Sequence, residues 1–125
     1  MNRDELIRRV RELPFDVAHY WLVAGGAMVL HGLRAETRDV DLGCDSTLAD
    51  WLEEQGCAVS GDRRDGRKID YAEDVEIFEN WLYDEIVLVE GIPVISLPGL
   101  RAMKLAIGRQ KDMRDVALID ERLRK

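Results

Sequence analysis

Cysteine and proline are scarce in this chain, and no long apolar run is present. Its 125 residues include two cysteines, Cys44 and Cys57, and three prolines. The cysteines match no zinc-binding spacing, which predicts reduced, buried thiols and leaves a disulfide between them open. No run approaches the roughly 20 apolar residues of a membrane span, and the charged start MNRDELIRRVREL is unlike a secretory signal. We therefore expect a cytoplasmic protein without membrane association.

An excess of basic residues is also lacking. The chain has 18 lysines and arginines against 25 acidic residues, a formal net charge of −7. Neutralising many nucleic-acid phosphates requires excess cations, so a large DNA-binding surface is not expected. Two local basic clusters, in 63–68 and 101–114, leave room for a small nucleotide or a structured RNA end.

The length and composition predict a single globular domain spanning 1–125. Apolar spacing and turn residues predict helices over 3–13, 27–31, 47–55, 97–108 and 111–123, and strands over 19–24, 39–44, 57–60, 67–71, 75–79, 86–90 and 93–96. The middle strands follow one another too closely for helical crossovers. The predicted class is therefore α/β (α+β), with a small mixed or antiparallel sheet flanked by helices.

Two aspartates separated by one valine, Asp39 and Asp41, are the most informative motif. Alternate side chains of a strand point to one face, which places these Cα atoms about 7 Å apart. Carboxylates so close repel each other unless a cation or a proton lies between them. Acidic residues are also depleted in strands, so the pair indicates a divalent cation held together with substrate phosphates. The alternative is an edge strand with a solvated acidic face.

A glycine pair, Gly25-Gly26, precedes the aspartates and follows an apolar strand. Unpaired backbone N–H groups at a helix start favour anions, and the missing side chains let a phosphate approach closely. A tight turn that tolerates glycine is the alternative. Thr37 and Arg38 lie beside the aspartates, so a phosphate cradle and a carboxylate pair belong to one strand–helix–strand unit.

The segment from Gly25 to Leu42, with Gly-Gly, His-Gly and Thr-Arg-Asp-Val-Asp-Leu, resembles the minimal nucleotidyltransferases of the DNA polymerase beta superfamily. The similarity is greatest to AbiEii-like nucleotidyltransferases, many of which are toxins of toxin–antitoxin pairs. The later segment SLPGLRAMKLAIGRQKDMRDVALI resembles the closing helices of the same group. The resemblance implies a nucleotidyltransferase-like fold, catalytic Asp39 and Asp41, and nucleotide binding by Gly25, Gly26, Thr37, Arg38 and Lys104.

The family uses a third carboxylate on a neighbouring strand. Glu76, flanked by Val75 and Ile77, is the preferred candidate because its strand is the more apolar one, and Asp70 is the alternative. Together with Asp39 and Asp41 this acid would hold two Mg²⁺ (or Mn²⁺) ions.

Three further residues can be explained without a catalytic role: Lys104, Asp112 and Trp81. Lys104 borders the apolar stripe of its helix and could add positive charge near the phosphates, or it is an ordinary exposed lysine. Asp112 is explained as a cap of the final helix. Trp81 is assigned to core packing.

The resemblance implies transfer of a nucleoside monophosphate from a nucleoside triphosphate (NTP) to an RNA end, a protein hydroxyl or a small molecule. The alternative is a catalytically idle domain of the same fold, acting as a binding module in a toxin–antitoxin-type pair. A partner protein or a homodimer would supply the acceptor site that larger relatives carry in an additional domain.

Overall fold

The computed structural model describes residues 1–81 and 85–125. Five helices lie within them: α1 (Arg3–Arg11), α2 (Ala24–Leu30), α3 (Ser46–Glu54), α4 (Leu97–Ile107) and α5 (Gln110–Leu123). The strands in the same residues are β1 (Tyr20–Val23), β2 (Val40–Cys44), β3 (Ala58–Ser60), β4 (Lys68–Ala72), β5 (Val75–Glu79), β6 (Ile86–Val89) and β7 (Ile92–Ile95).

All seven described strands form one sheet in the order β3-β4-β5-β2-β1-β7-β6. Strand β2 runs antiparallel to β1 and parallel to β5. Strand β1 also runs parallel to β7, whereas the outer pairs are antiparallel. The prediction of an α/β chain with a mixed sheet is therefore confirmed.

The core lies on β1 and its neighbours β2 and β7, and every residue of β1 and β7 is buried. Helix α2 contacts β1, β2 and β7, and α4 packs against both α2 and α5. Gly43 is required here, because a Cβ at this position would lie 2.0 Å from the indole Nε1 of Trp21. The Trp21 indole instead crosses β2 and donates to the carbonyl of Trp81 at 2.9 Å.

Helix ends follow local capping chemistry. Ser96 accepts a hydrogen bond from the Gly99 amide at 3.2 Å at the start of α4, and Gly108 ends that helix with φ of +70°. Only residues without a β-carbon adopt such a conformation easily. This left-handed turn allows α5 to fold back along α4.

Several predicted boundaries were wrong. Helix α2 begins at Ala24 rather than at residue 27, because the chain turns directly out of β1 through Ala24, whose φ is +55°. Both glycines therefore lie in the first helical turn. Asp39 precedes β2 instead of opening it, since pairing with β5 begins at Val40.

The two cysteines are free, as predicted; Cys44 is buried and Cys57 is half-buried. Among the helices within residues 1–81 and 85–125, none has the length and apolar character needed to cross a membrane.

Candidate functional site

A row of carboxylates crosses three neighbouring strands of the sheet. Asp41 of β2 is the direct partner of Glu76 on β5, and Glu76 is the direct partner of Asp70 on β4. Directly paired residues project from the same face of a sheet. Glu76 is thus the nearest strand neighbour of Asp41, and Asp70 is one strand farther away and exposed. Asp39 joins this group from the segment just before β2.

The Asp41 carboxyl is a weaker acid than an ordinary aspartate side chain. Its pKa is raised to about 6, chiefly because burial disfavours the charged form, and further because Glu76 and Asp39 are negatively charged. Lys104 and Lys68 act in the opposite direction, without cancelling these effects. The site therefore has negative charge that its own cations leave uncompensated, which a bound cation or a proton would relieve.

Lys68 is the immediate partner of the candidate third acid. Its Nζ lies 3.1 Å from Glu76 Oε2, and both side chains are about half exposed. In the described parts of the chain, no three His, Cys, Asp or Glu side chains are arranged so that they could hold a metal ion. Glu76 is thus the cross-strand partner of Asp41, while its carboxylate forms an ion pair with Lys68.

A polar cavity of about 620 Å³ opens beside Asp39 and Asp41. Its walls come from the start of α2, the segment before β2 and the two final helices. Thr37 is part of this wall, and its Oγ1 donates to the Asp39 carbonyl at 3.3 Å. Four acidic residues are balanced by five basic side chains, Arg34, Arg38, Lys104, Arg109 and Lys111.

The two glycines have different surroundings. A Cβ at Gly25, which lines the polar cavity, would lie 2.7 Å from Thr37 Oγ1 and 3.1 Å from a guanidinium nitrogen of Arg34. Gly26 is buried and is not among the residues of that wall; a Cβ there would lie 2.9 Å from Leu22. Gly25 therefore keeps the cavity wall open, whereas Gly26 allows α2 to pack against β1.

Lys104 is buried at the base of the polar cavity, with only 5% of its surface exposed. Its ammonium lies 3.0 Å from Asp115 and 3.4 Å from Asp112. The interpretation of Lys104 as an ordinary exposed lysine was wrong, because α5 folds back and covers this face of α4 with two aspartates.

The same two aspartates hold arginines of the polar cavity. Arg34 donates to both oxygens of Asp115 at 2.8 Å. Arg109 donates to Asp112 from its side chain at 2.7 Å and from its backbone at 3.1 Å, so Asp112 is a helix cap as predicted. Three cations thus share two carboxylates, and one positive charge remains for the neighbouring acids.

A second, more apolar cavity of about 340 Å³ meets the first one. The two cavities share Ala24, Asp39, Asp41, Lys104 and Arg109, while Glu76 lines only the second. The remaining walls are apolar: Phe78, Trp81, Leu100, Met103 and Ile107. The rings of Phe78 and Trp81 are in edge contact, with centroids 4.6 Å apart. Trp81 therefore packs at the margin of the core, as predicted, and also faces this cavity.

The structure brings most of the predicted site residues together. Gly25, Thr37, Arg38, Asp39, Asp41 and Lys104 surround the polar cavity, and Glu76 lies next to Asp41 on the neighbouring strand. Asp70 lines neither cavity. Arg34 was missed, because its partner Asp115 lies 81 residues away in sequence and no local pattern indicates the pair.

No protein-family model matches this chain, and a comparison with curated proteins gave no match either.

Proposed function

We propose that this protein is a metal-dependent nucleotidyltransferase that moves a nucleoside monophosphate from an NTP to an acceptor hydroxyl. One observation carries the proposal: paired carboxylates with uncompensated charge adjoin a cavity walled by five basic side chains. Such a cavity suits a polyphosphate, and the carboxylates suit the cation that accompanies it. The nucleotidyltransferase-like fold inferred from the sequence is part of this proposal.

In this proposal, the residues of the polar cavity bind the phosphates of the NTP. The basic side chains and the first turn of α2, including Gly25, would hold the β- and γ-phosphates. Lys104 is fixed by Asp112 and Asp115, and supplies positive charge close to Asp41. A preorganised charge of this kind stabilises developing negative charge without reorganisation.

Asp39, Asp41 and Glu76 are the residues that would hold Mg²⁺ or Mn²⁺. The donor chemistry suits such an ion, because all three side chains supply hard carboxylate oxygens, and the charges of Glu76 and Asp39 raise the Asp41 pKa further after the larger effect of burial. The metal would neutralise triphosphate charge and make the acceptor hydroxyl more acidic. Glu76 would first have to leave Lys68.

In the proposed reaction, the acceptor oxygen forms a bond to the α-phosphorus while the bond to the β-phosphate oxygen breaks. Pyrophosphate leaves with that electron pair, and the hydroxyl proton passes to solvent. The contribution of the protein is to hold the phosphates in the polar cavity and the acceptor near Asp39 and Asp41, which is worth several orders of magnitude in rate.

The proposal is tested by incubating the protein with Mg²⁺ or Mn²⁺, NTPs labelled at the α-phosphate, and cellular RNA, protein and metabolite fractions. We expect label transfer that Asp39→Asn and Glu76→Gln reduce at least about a hundredfold, as loss of groups acting on the transition state does. Asp70→Asn, on the same sheet face, should keep most of the transfer. Absence of transfer to every fraction would refute the enzyme, and equal losses in Glu76→Gln and Asp70→Asn would refute the assignment of the third acid.

A catalytically idle binding domain is the second candidate. The observation that favours it is the ion pair of Glu76 with Lys68, together with the lack of a ready three-carboxylate group in residues 1–81 and 85–125. This candidate predicts nucleotide binding in calorimetry without any label transfer. A partner protein or a second copy of the chain would then be the target of the nucleotide-bound form.

Lys68 gives a sharper prediction about the metal. Lys68→Met should bind Mn²⁺ about three- to tenfold more tightly than the native protein, because it removes a competing cation close to Glu76. Binding is measured by calorimetry or by the electron paramagnetic resonance of free Mn²⁺. Lys125→Met is the matched control, since Lys125 is exposed and pairs with Glu121 on α5. Unchanged or weaker binding in Lys68→Met would show that the lysine does not compete.

A further inference from the structure

The apolar cavity differs chemically from the polar one with which it is in contact. The residues that it does not share are Phe78 and Trp81 on the strand side, Leu100, Met103 and Ile107 on α4, and Glu76. None of these side chains carries a positive charge. At about 340 Å³, the space is large enough for one ring and its substituents.

The lining of the apolar cavity indicates which reactant of the proposed transfer it holds. In phosphoryl transfer the entering and leaving oxygens lie roughly in line on opposite sides of the phosphorus. The five basic side chains that suit the leaving pyrophosphate line the polar cavity, and three of them, Arg34, Arg38 and Lys111, do not line the apolar one. The apolar cavity extends from the same aspartates toward Glu76 and Phe78. With the pyrophosphate held by those side chains, the apolar cavity is the part of the site left for the entering hydroxyl.

We infer that the apolar cavity binds the acceptor, and that the acceptor hydroxyl is carried by an uncharged, apolar ring. This inference rests on the proposed function and specifies its substrate class. The ring would lie between the aromatic side chains of β5 and its vicinity and the aliphatic side chains of α4. Its hydroxyl would point toward Asp41, where its oxygen forms the new bond to the α-phosphorus as pyrophosphate leaves.

The charges disfavour a polynucleotide end in this cavity. A phosphate next to the acceptor hydroxyl would face Glu76, and the two cations that line this cavity among the described residues, Lys104 and Arg109, are already paired with Asp112 and Asp115. Lys68, which is near this wall, is already paired with Glu76. Burying an unpaired phosphate among apolar side chains is costly, whereas burying an uncharged ring is favourable.

Two side chains of α4 provide a matched pair of variants. Ile107 lines the apolar cavity and is 40% exposed, and Leu105 is 45% exposed and lines neither cavity. Ile107→Asp and Leu105→Asp therefore add the same charge to the same helix at positions of similar exposure. Both should fold, which circular dichroism and thermal unfolding would verify.

Binding is measured first, by saturation-transfer nuclear magnetic resonance and calorimetry with benzyl alcohol, N-acetyl-tyrosinamide and adenosine. The two ring alcohols should bind, and Ile107→Asp should weaken them about tenfold, while Leu105→Asp changes their affinity less than about twofold. Adenosine saturating this cavity in place of the alcohols would overturn the inference, because the cavity would then hold the nucleobase.

Transfer is measured second, with labelled NTP and three acceptors: benzyl alcohol, a tyrosine-containing peptide and a short oligoribonucleotide. Label on the free alcohol or on the peptide distinguishes a small-molecule acceptor from a side chain of a protein, and either result supports the inference. Label on the oligoribonucleotide alone, or transfer unaffected by Ile107→Asp, would overturn it and leave the transferase intact. Ring-alcohol binding that depends on Ile107, without transfer to any acceptor, would support the cavity assignment and count against the transferase.

Discussion

Replacing Asp41 by asparagine is expected to stabilise the protein and to abolish metal-dependent nucleotide binding at the same time. The folded state raises the pKa of this carboxyl from 3.8 to about 6, so keeping it ionised at pH 7 is unfavourable. At 1.36 kcal/mol per pKa unit the cost is as much as about 3 kcal/mol. Asparagine has a similar shape and no charge, and removes this cost.

The stability difference between the Asp41→Asn and native proteins should depend on pH. Because the folded protein binds the Asp41 proton more tightly than the unfolded chain, the contribution of Asp41 to stability falls as pH rises from about 4 to about 6. Above pH 6 the full cost is present. The Asp41→Asn and native proteins should therefore have similar unfolding free energies at pH 4 and differ most at pH 7 and above.

Urea unfolding between pH 4 and pH 8 measures the difference. Asp70→Asn is the control, because Asp70 is exposed on the same sheet face and its replacement should change the unfolding free energy by less than about 0.5 kcal/mol. Added Mg²⁺ with an NTP should stabilise the native protein, since a ligand that binds only the folded state does so, and should leave the Asp41→Asn protein unchanged. An Asp41→Asn protein less stable than the native one at pH 7 would contradict the electrostatic account.

Replacing Arg67 by methionine is expected to have the largest destabilising effect. Arg67 is 3% exposed and donates to both oxygens of the buried Glu79 carboxylate, at 3.0 and 2.7 Å. It also reaches Asp50 and Glu53 on α3. Loss of one partner of a buried ion pair leaves the other charge uncompensated and typically costs about 3–5 kcal/mol.

The pH dependence of the unfolding free energy provides a second test of Arg67→Met. Arg67 lowers the Glu79 pKa to about 2, so the contribution of Glu79 is fully present above about pH 4.5 and is lost as pH falls through 2. Without Arg67 this dependence should reverse, because burial then disfavours the charged Glu79 carboxylate and protonation relieves that cost. The stability difference between Arg67→Met and the native protein should therefore shrink toward acid pH.

Two further variants complete the design. Arg63→Met is the matched control: Arg63 also pairs with Asp50, but its side chain is 64% exposed, and such exposed pairs contribute little to stability. Adding Glu79→Gln to Arg67→Met should recover a substantial part of the loss, since the orphaned charge is then absent. A loss in Arg67→Met no larger than in Arg63→Met would show that the buried pair is not an anchor between α3 and the sheet.

Local patterns were sufficient to predict the elements and much of the site. The Gly-Gly segment and the Asp39–Asp41 pair stand close together in sequence, and both lie at the polar cavity or directly beside it. The apolar flanks of Glu76 made it the preferred third acid over Asp70, but its position next to Asp41 depends on the parallel pairing of β2 with β5. No sequence pattern specifies which of several strands becomes a neighbour.

Long-range charge pairs account for what sequence could not predict. The burial of Lys104 depends on α5 bringing Asp112 and Asp115 against it, and Arg34 depends on the same helix. Helical periodicity identifies the apolar stripe of α4, but a lysine at its border is buried or exposed according to what packs there. The apolar cavity combines residues of two segments far apart along the chain, which no local pattern relates.

The order of the elements along the chain has a consequence for biosynthesis. All three candidate acids precede residue 80, whereas the cation buried beside them, Lys104, belongs to helices formed by residues 97–123. Chains emerge from the ribosome N-terminus first and begin to organise as they do. A nascent chain can therefore pair β2 with β5 before its internal counter-charge exists. During that interval the acidic cluster has Lys68, Arg34 and Arg38 but not the buried lysine, so Mg²⁺ and protons offset more of its charge, which links the assembly of the sheet to the ionic conditions of translation.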